Sequence, residues 1–467
     1  MVKNSRSMNL NILIMTAIAA FMSLSCSGDK AGEEDSPLAS RPFISASAED
    51  GDNGMVEAQV DTIALTVKFN FTGRTDFSAV PVAFSLNEGY SIEGGDGEVI
   101  SLDLDNESVV TFIAKGASQS YTVSATGTTP FDIHAGVNLS YWLQAGGGLW
   151  AMDGSIRTKI QKLIDLGFDH FRIPVDESFM FKTDGTLNQT NLSMLTTGLD
   201  VICELGAKAI VDLHNLKNPD IFTSKTAEAR FYECWKLLSS ALSGYPLDAV
   251  AYELLNEPED GAKSDLWNPI LNNAIEQIRS TEKRRLIVIG SVGWQSYDQL
   301  NNLIIPRNDP NLIISFHYYN PMVLTHYGFD WSIGTFEYGL PSYPGCPVSE
   351  DVYNHFTDAE RERFGWWYTT GQYFDAAKIG SQISNAYYAA KARDVRLYCG
   401  EFACSGKIGD NGTEAQQRLD WLRDVVAVCD KYDIPFCHWE NSSSGFGFCF
   451  PNGNISNTMV RIITGKE

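Results

Sequence analysis

The sequence predicts an α/β protein: a (β/α)8 barrel, or TIM barrel, behind a smaller all-β sandwich of immunoglobulin-like type. Three observations carry that prediction. From about Asp132 to the C-terminus, eight short apolar runs alternate with amphipathic stretches, the pattern of repeated strand and helix units. From about Arg41 to Ala125, by contrast, only short runs occur, separated by Gly, Asn and Asp turns. Finally, no glycine-rich phosphate turn follows the first run of the second segment, which argues against the structural alternative, a doubly wound open sheet.

At 467 residues and 44% hydrophobic content, the chain can bury a large core and a small one. Its net charge of −23, with no basic block after the first few residues, excludes nucleic acid and acidic polymers as partners. A neutral or basic substrate fits better, and a monomer is expected. Ten tryptophans exceed what a core requires, and planar rings are stacking platforms for sugars.

Residues 1–25 have the features of a lipoprotein signal peptide. Lys3 and Arg6 precede an apolar run from Leu10 to Leu24, too short and interrupted to span a bilayer comfortably, which ends in Ser23-Leu-Ser-Cys26. Cys26 is the expected lipid acceptor, although the usual Leu three residues before it is Ser23. Residues 26–40, with Asp29, Glu33, Glu34 and Asp35 among Gly and Ser, form an acidic tether that cannot bury a core. Export to the cell surface follows, with the membrane touched through the lipid anchor only. Nine cysteines less Cys26 leave eight, a number that permits disulfides. Cys399 and Cys437 each lie two residues before a candidate site residue, so they are expected to face the barrel as free thiols.

Residues 41–128 make the sandwich. Val60–Phe71, Val80–Phe84, Val109–Ile113 and Tyr121–Ala125 alternate or run apolar, and roughly seven strands fit this length. The segment contains no Trp, so a spacer is favoured over a sugar-binding module. Residues 132–467 make the barrel, with strands expected near Ile133–Val137, His170–Pro174, Ala209–Leu213, Val250–Leu255, Leu286–Ile289, Leu312–Phe316, Leu397–Cys399 and Pro435–His438. Ile156–Leu166 and Ala415–Val428 are amphipathic at helical spacing. The longest irregular span, Tyr318–Gly380, follows the sixth strand and belongs on the catalytic face.

Two of the apolar runs end in glutamates, Ala251-Tyr-Glu-Leu-Leu-Asn-Glu-Pro258 and Leu397-Tyr-Cys-Gly-Glu-Phe402. Two carboxylates in one cleft, one donating a proton and one attacking carbon, are the chemical minimum for cutting a glycosidic bond with retention. Other strand ends keep them company: Phe171-Arg-Ile-Pro-Val175, Val211-Asp-Leu-His-Asn215, Ser315-Phe-His-Tyr-Tyr-Asn320 and Cys437-His-Trp-Glu440. With these motifs the chain from about Asp132 onward resembles glycoside hydrolase family 5, the cellulase-type retaining hydrolases of clan A.

The resemblance implies roles for eight residues. Glu257 is the acid/base and Glu401 the nucleophile, while Arg172, His214, Asn256, His317, Tyr319 and Trp439 bind substrate or orient the glutamates. It also implies a cis peptide between Trp439 and Glu440. The chemistry of the residues agrees. Glu401 must be ionised to attack, and Arg172 with Tyr319 can supply a cation and a hydroxyl donor. Glu257 must begin protonated, so its pKa should be raised by a partly apolar pocket and a neighbouring carboxylate. Asp212 and Glu253 fall deeper and serve as buried partners of basic side chains. Trp142, Trp150, Trp294 and Trp331 are candidate sugar platforms, with Trp142 and Trp294 named as substrate-binding.

The reaction needs no cofactor, and no closely spaced His/Cys set suggests a metal. Asn320-Pro, Thr325-His and Trp331 after strand six resemble endoglucanase-like members, which favours a β-1,4-glucan. Xyloglucan, mannan and mixed-linkage glucan remain alternatives within the family, and the opening Gly136–Trp142 departs from commoner endoglucanase versions. A reading of another class, a non-catalytic glycan-binding lipoprotein, is disfavoured by the presence of both glutamates.

Overall fold

A computed structural model describes residues 41–466 except 75, 106, 145–155, 259–263, 308, 409–414, 442–444 and 450–454. The signal peptide, the tether, Cys26 and Trp150 lie outside the described residues.

Alternating patterns in the N-terminal segment produce two facing sheets. One orders Met55–Glu57, Phe43–Glu49, Val80–Leu86 and Val99–Leu102; the other orders Gln59–Asp61, Thr66–Phe71, Ala117–Gly127, Ser108–Ala114 and Ser91–Ile92. Nine strands are present among the described residues where roughly seven were expected, and three of the nine are two- or three-residue edge pieces too short to leave a periodic signal. All pairings are antiparallel except Thr66–Phe71 with Ala117–Gly127. Inward residues such as Phe43, Phe84, Phe112 and Tyr121 interlock, the ring centroids of Phe43 lying 4.9–5.1 Å from the other three.

The second segment closes an eight-stranded parallel barrel, strands Ala135–Asn138, His170–Val175, Lys208–Leu213, Val250–Glu253, Ile287–Gly290, Leu312–Tyr318, Arg396–Phe402 and Phe436–His438, neighbouring one another in chain order. Nearly every strand residue is buried, because helices cover the outside and side chains fill the inside; the continuous apolar runs follow from that double burial. Ile210, Ala251, Val288, Ile313, Tyr398 and Cys437 pack the floor of the barrel.

The sandwich docks at the N-terminal ends of the barrel strands, away from their C-terminal ends. Asn311, just before the sixth strand, accepts from the Thr129 amide at 2.6 Å and donates to the Gly127 carbonyl at 2.8 Å. Arg284, shortly before the fifth strand, pairs with Asp105 and lies 3.4 Å over the Phe77 ring.

Three expectations are corrected by the fold. The span after strand six is not wholly irregular: it carries helices at Glu350–His355 and Asp358–Thr369, and Ala376–Lys391 begins within it. Thr357 and Glu360 form a capping box at the second of these, a signal readable in Thr-Asp-Ala-Glu. Cys399 does not share the barrel interior with Cys437. A register shift pairs Phe316 with Cys399 but His317 with Glu401, so Gly400 is an extra residue, and Cys399 packs outward with Cys429 in the helix layer.

Trp142 is the third. It is 1% exposed and lies against the helix Gln189–Glu204, where a Cβ on Gly198 would come within 2.1 Å of its ring. It is therefore core and presents no face to the cleft. Gly198→Ala in an open helix would gain about 1 kcal/mol of helix propensity. Here overpacking costs about 1–3 kcal/mol and prevails. The variant is expected to melt several degrees lower, and an unchanged or raised midpoint in thermal denaturation would contradict this packing.

Candidate active site

At the C-terminal ends of the barrel strands, seven of the eight motif residues converge on one cleft of roughly 810 Å³: His214, Asn256, Glu257, His317, Tyr319, Glu401 and Trp439 line it, with Arg172 buried beneath. Each arrives on a different local device. Glu401 lies inside strand seven, brought inward by the Gly400 bulge; a Cβ at Gly400 would meet Ser315 Oγ at 2.6 Å and His317 Nε2 at 3.1 Å, so the residue must be glycine. Glu257 sits four residues beyond the end of strand four, at φ 43°. The bond from Trp439 to Glu440 is cis, as expected.

Arg172 organises the floor. Its Nη1 donates to Glu401 Oε1 at 2.7 Å and to Asn138 Oδ1 at 2.9 Å. Its Nε and Nη2 donate to Glu253 at 2.6 and 3.1 Å, and Nη2 also reaches Asn256 Oδ1 at 2.9 Å and Asp212 Oδ2 at 3.0 Å. Three carboxylates around one fully buried guanidinium hold its charge and fork in place. The Tyr319 hydroxyl donates to Glu401 Oε2 at 2.8 Å, so both oxygens of that carboxylate are held.

Glu257 and Glu401 approach within 4.8 Å, oxygen to oxygen, with His317 touching both: its Nδ1 is 2.8 Å from Glu257 Oε1 and 3.7 Å from Glu401 Oε2. Loss of water around Glu257 pushes its carboxyl up to about 7, opposed by the charges of His214 and Arg172 and aided by Glu253. The neighbouring carboxylate that raises it is thus Glu253 beneath. Burial pulls His317 down to about 4, so its imidazole is neutral at pH 7. His214 is likewise lowered, by burial and by Arg172; its Nδ1 bonds Asp212 at 2.6 Å and its ring stacks 5.4 Å from Trp439 at 9°.

Of the aromatic candidates, Trp294 and Trp331 line this cleft and are 52% and 71% exposed. His326, of the Thr325-His pair, is in the wall as well, and sequence reasoning passed over Tyr141, Phe329, Lys407 and Phe446, which also line it. Phe329 and Phe446 stack at 4.4 Å beside Trp439 and Tyr319. They come from loops, where no periodicity marks a residue's direction.

The chain is similar to several known proteins. Cellodextrinase A of Ruminococcus flavefaciens is 26% identical over 310 residues, covering 64% of this chain and 82% of the relative. Endoglucanase C of Acetivibrio thermocellus is 24% identical over 351 residues, covering 71% and 98%. In fold, the chain is similar to the cellulose synthase subunit Z of Clostridioides difficile, with TM-score 0.58 at 22% identity over 71% of this chain and 99% of that one. A hyperthermophilic endo-β-1,4-glucanase solved with substrate gives TM-score 0.57 at 22% identity, over 72% and 97%. Residues 124–445 match the profile described as Cellulase (glycosyl hydrolase family 5). With that match over most of its length, the chain belongs to glycosyl hydrolase family 5 and is a retaining hydrolase of O-glycosidic bonds.

Proposed function

We propose that the protein is an endo-acting β-1,4-glucanase in which Glu401 is the nucleophile and Glu257 the acid/base. The observation that carries this reading is that Glu257 and Glu401 carboxylate oxygens lie within 4.8 Å of each other, the close spacing of direct attack on the anomeric carbon, with no room for an intervening water. Glu401, held by Arg172 and Tyr319, attacks while Glu257 protonates the departing oxygen. Glu257 then takes a proton from water as that water cleaves the glycosyl-enzyme, and retention follows from the two displacements. Neutral His317 holds the Glu257 carboxyl on the leaving-group side. Exposed rings at Trp294 and Trp331 support sugar stacking beyond the cut bond, which favours internal cleavage of a polymer. The names of the relatives, endoglucanase and cellodextrinase, favour a β-1,4-glucan.

Product analysis on cellulose, lichenan, xyloglucan, glucomannan and galactomannan tests the substrate. Soluble oligosaccharides of mixed length from cellulose and lichenan are expected. Exclusive release of mannose oligomers, or of a single end product from the chain terminus, would overturn it. The pH profile is a second test. Since Glu257 acts protonated, kcat/KM on a glucan should decline as pH rises through about 7. A dinitrophenyl glycoside, whose leaving group needs no proton, should lack that limb. The same limb on both substrates would remove Glu257 from the acid role.

Residues 1–40 are the basis for proposing export and lipid attachment at Cys26. Among the described residues no helix is long and apolar enough to cross a membrane. Docking of the all-β sandwich at the barrel end opposite the cleft supports a spacer that lifts the barrel, since a module placed there cannot lengthen the groove.

A further inference from the structure

After strand five the chain makes an unusual turn. Gly293, Trp294 and Gln295 are all left-handed, at φ 70°, 58° and 54°, a region that L side chains rarely adopt and that two consecutive non-glycine residues occupy here. The turn throws adjacent side chains in opposite directions. Trp294 goes out to the cleft, and Gln295 goes in and is fully buried. Room for it exists because residue 290 is glycine: a Cβ there would lie 2.2 Å from Gln295 Nε2.

The Gln295 amide ends between the two halves of the site. Its Nε2 donates to Glu253 Oε1 at 3.1 Å and lies 3.5 Å from the Leu255 carbonyl, two residues before Glu257. Reversing the amide would set its carbonyl against the Glu253 carboxylate, so this orientation is fixed by charge. Glu253 in turn grips Arg172 through Nε and Nη2, and Arg172 Nη1 holds Glu401. On the other side the Trp294 amide donates to the Pro258 carbonyl at 3.1 Å, adjoining Glu257. One turn therefore ties the segment bearing Glu257 to the buried anchor of the guanidinium that holds Glu401.

We propose that Gln295 is a positioning residue that sets the Glu253–Arg172–Glu401 relay in register with the Glu257 segment. Without its donor, Glu253 loses one of its partners in a dry site and the guanidinium loses a fixed base, so Glu401 is no longer held at attack distance. The inference rests on Glu401 being the nucleophile.

The test uses the full chain and pre-steady-state release of dinitrophenol from 2,4-dinitrophenyl β-cellobioside. The burst amplitude counts folded sites and the burst rate reports attack by the nucleophile. Gln295→Met fills the space without a donor. Its burst rate per titrated site is expected to fall about tenfold with substrate affinity unchanged. Glu253→Gln should show a loss of similar size, and the double variant should lose little more than either single one, because both act through one relay. A burst rate within twofold of the parent in either single variant, or effects that multiply in the double, would overturn the proposal. If Gln295→Met does not fold, the Glu253→Gln burst rate decides alone. A burst that survives in Glu401→Ala refutes the nucleophile assignment instead; its absence there, beside a full-rate Gln295→Met, refutes only the coupling.

Discussion

Glu401→Ala is expected to abolish turnover of natural glucans, with kcat falling by about 10⁴-fold or more, because among the described residues no other carboxylate shares its place on Arg172 and Tyr319 facing Glu257. The loss should appear in kcat and leave affinity nearly intact. Arg172 keeps its bonds to Glu253, Asp212 and Asn256, and the rings of Trp439, Trp294 and Trp331 do not depend on Glu401 for their places. Calorimetric titration with cellotetraose should therefore give a dissociation constant within a few-fold of that of the unaltered protein. Substantial residual hydrolysis, or a burst of dinitrophenol as large as that of the parent, would place the nucleophile elsewhere. Glu401→Gln is a useful companion: it keeps the hydrogen bond from Tyr319 and should be as inactive, which separates loss of the attacking charge from loss of volume.

Glu257→Ala is expected to behave differently on different leaving groups. On glucan, kcat should fall by about 10²–10⁴-fold, the usual contribution of a positioned acid. On 2,4-dinitrophenyl β-cellobioside, glycosyl-enzyme formation should proceed nearly unimpaired, and the slow step becomes hydrolysis of that intermediate, which has lost its base. Azide needs no base and fits the space left by the carboxylate. Adding it should accelerate the slow step and yield a β-glycosyl azide, since it enters from the face the leaving group left. An α-azide from this variant would reverse the two roles. No azide effect, with dinitrophenyl and natural substrates impaired equally, would show that Glu257 does no proton transfer.

Much of this site can be read in the one-dimensional pattern, for a definite reason. Strands of a parallel barrel are buried on both faces, so they appear as short apolar runs, and functional residues follow at or just beyond their C-terminal ends. The family resemblance singles out Arg172, His214, Asn256, Glu257, His317, Tyr319, Glu401 and Trp439 on those motifs, and the structure brings seven of them to one cleft with Arg172 beneath, inside its strand. The same local logic placed Asp212 and Glu253 deeper in their strands, where they meet Arg172. It failed where direction depends on something other than strand period. Trp142 follows strand one in the chain, yet Gly198 on a later helix leaves a space that draws it into the core. Counting in twos puts Cys399 in the interior, and the inserted Gly400 changes the count.

The sequence by itself determined the fold class and pointed to the two carboxylates, because apolar runs and short motifs are properties of neighbouring residues. Only the tertiary structure decided how those groups act on one another. Arg172 and Glu401 are 229 positions apart, and no local pattern states that one guanidinium serves Asp212, Glu253 and Glu401 at once. The rise of Glu257 to about 7 likewise needs the lost water and the Glu253 charge brought together by barrel closure. Gln295 shows the division most plainly. In the chain it is an ordinary polar residue beside a tryptophan, and its place becomes visible only when a left-handed turn and a glycine five residues earlier turn it inward. Proximity across a closed barrel is set by the packing of all eight strands, and it leaves no trace in the residues on either side.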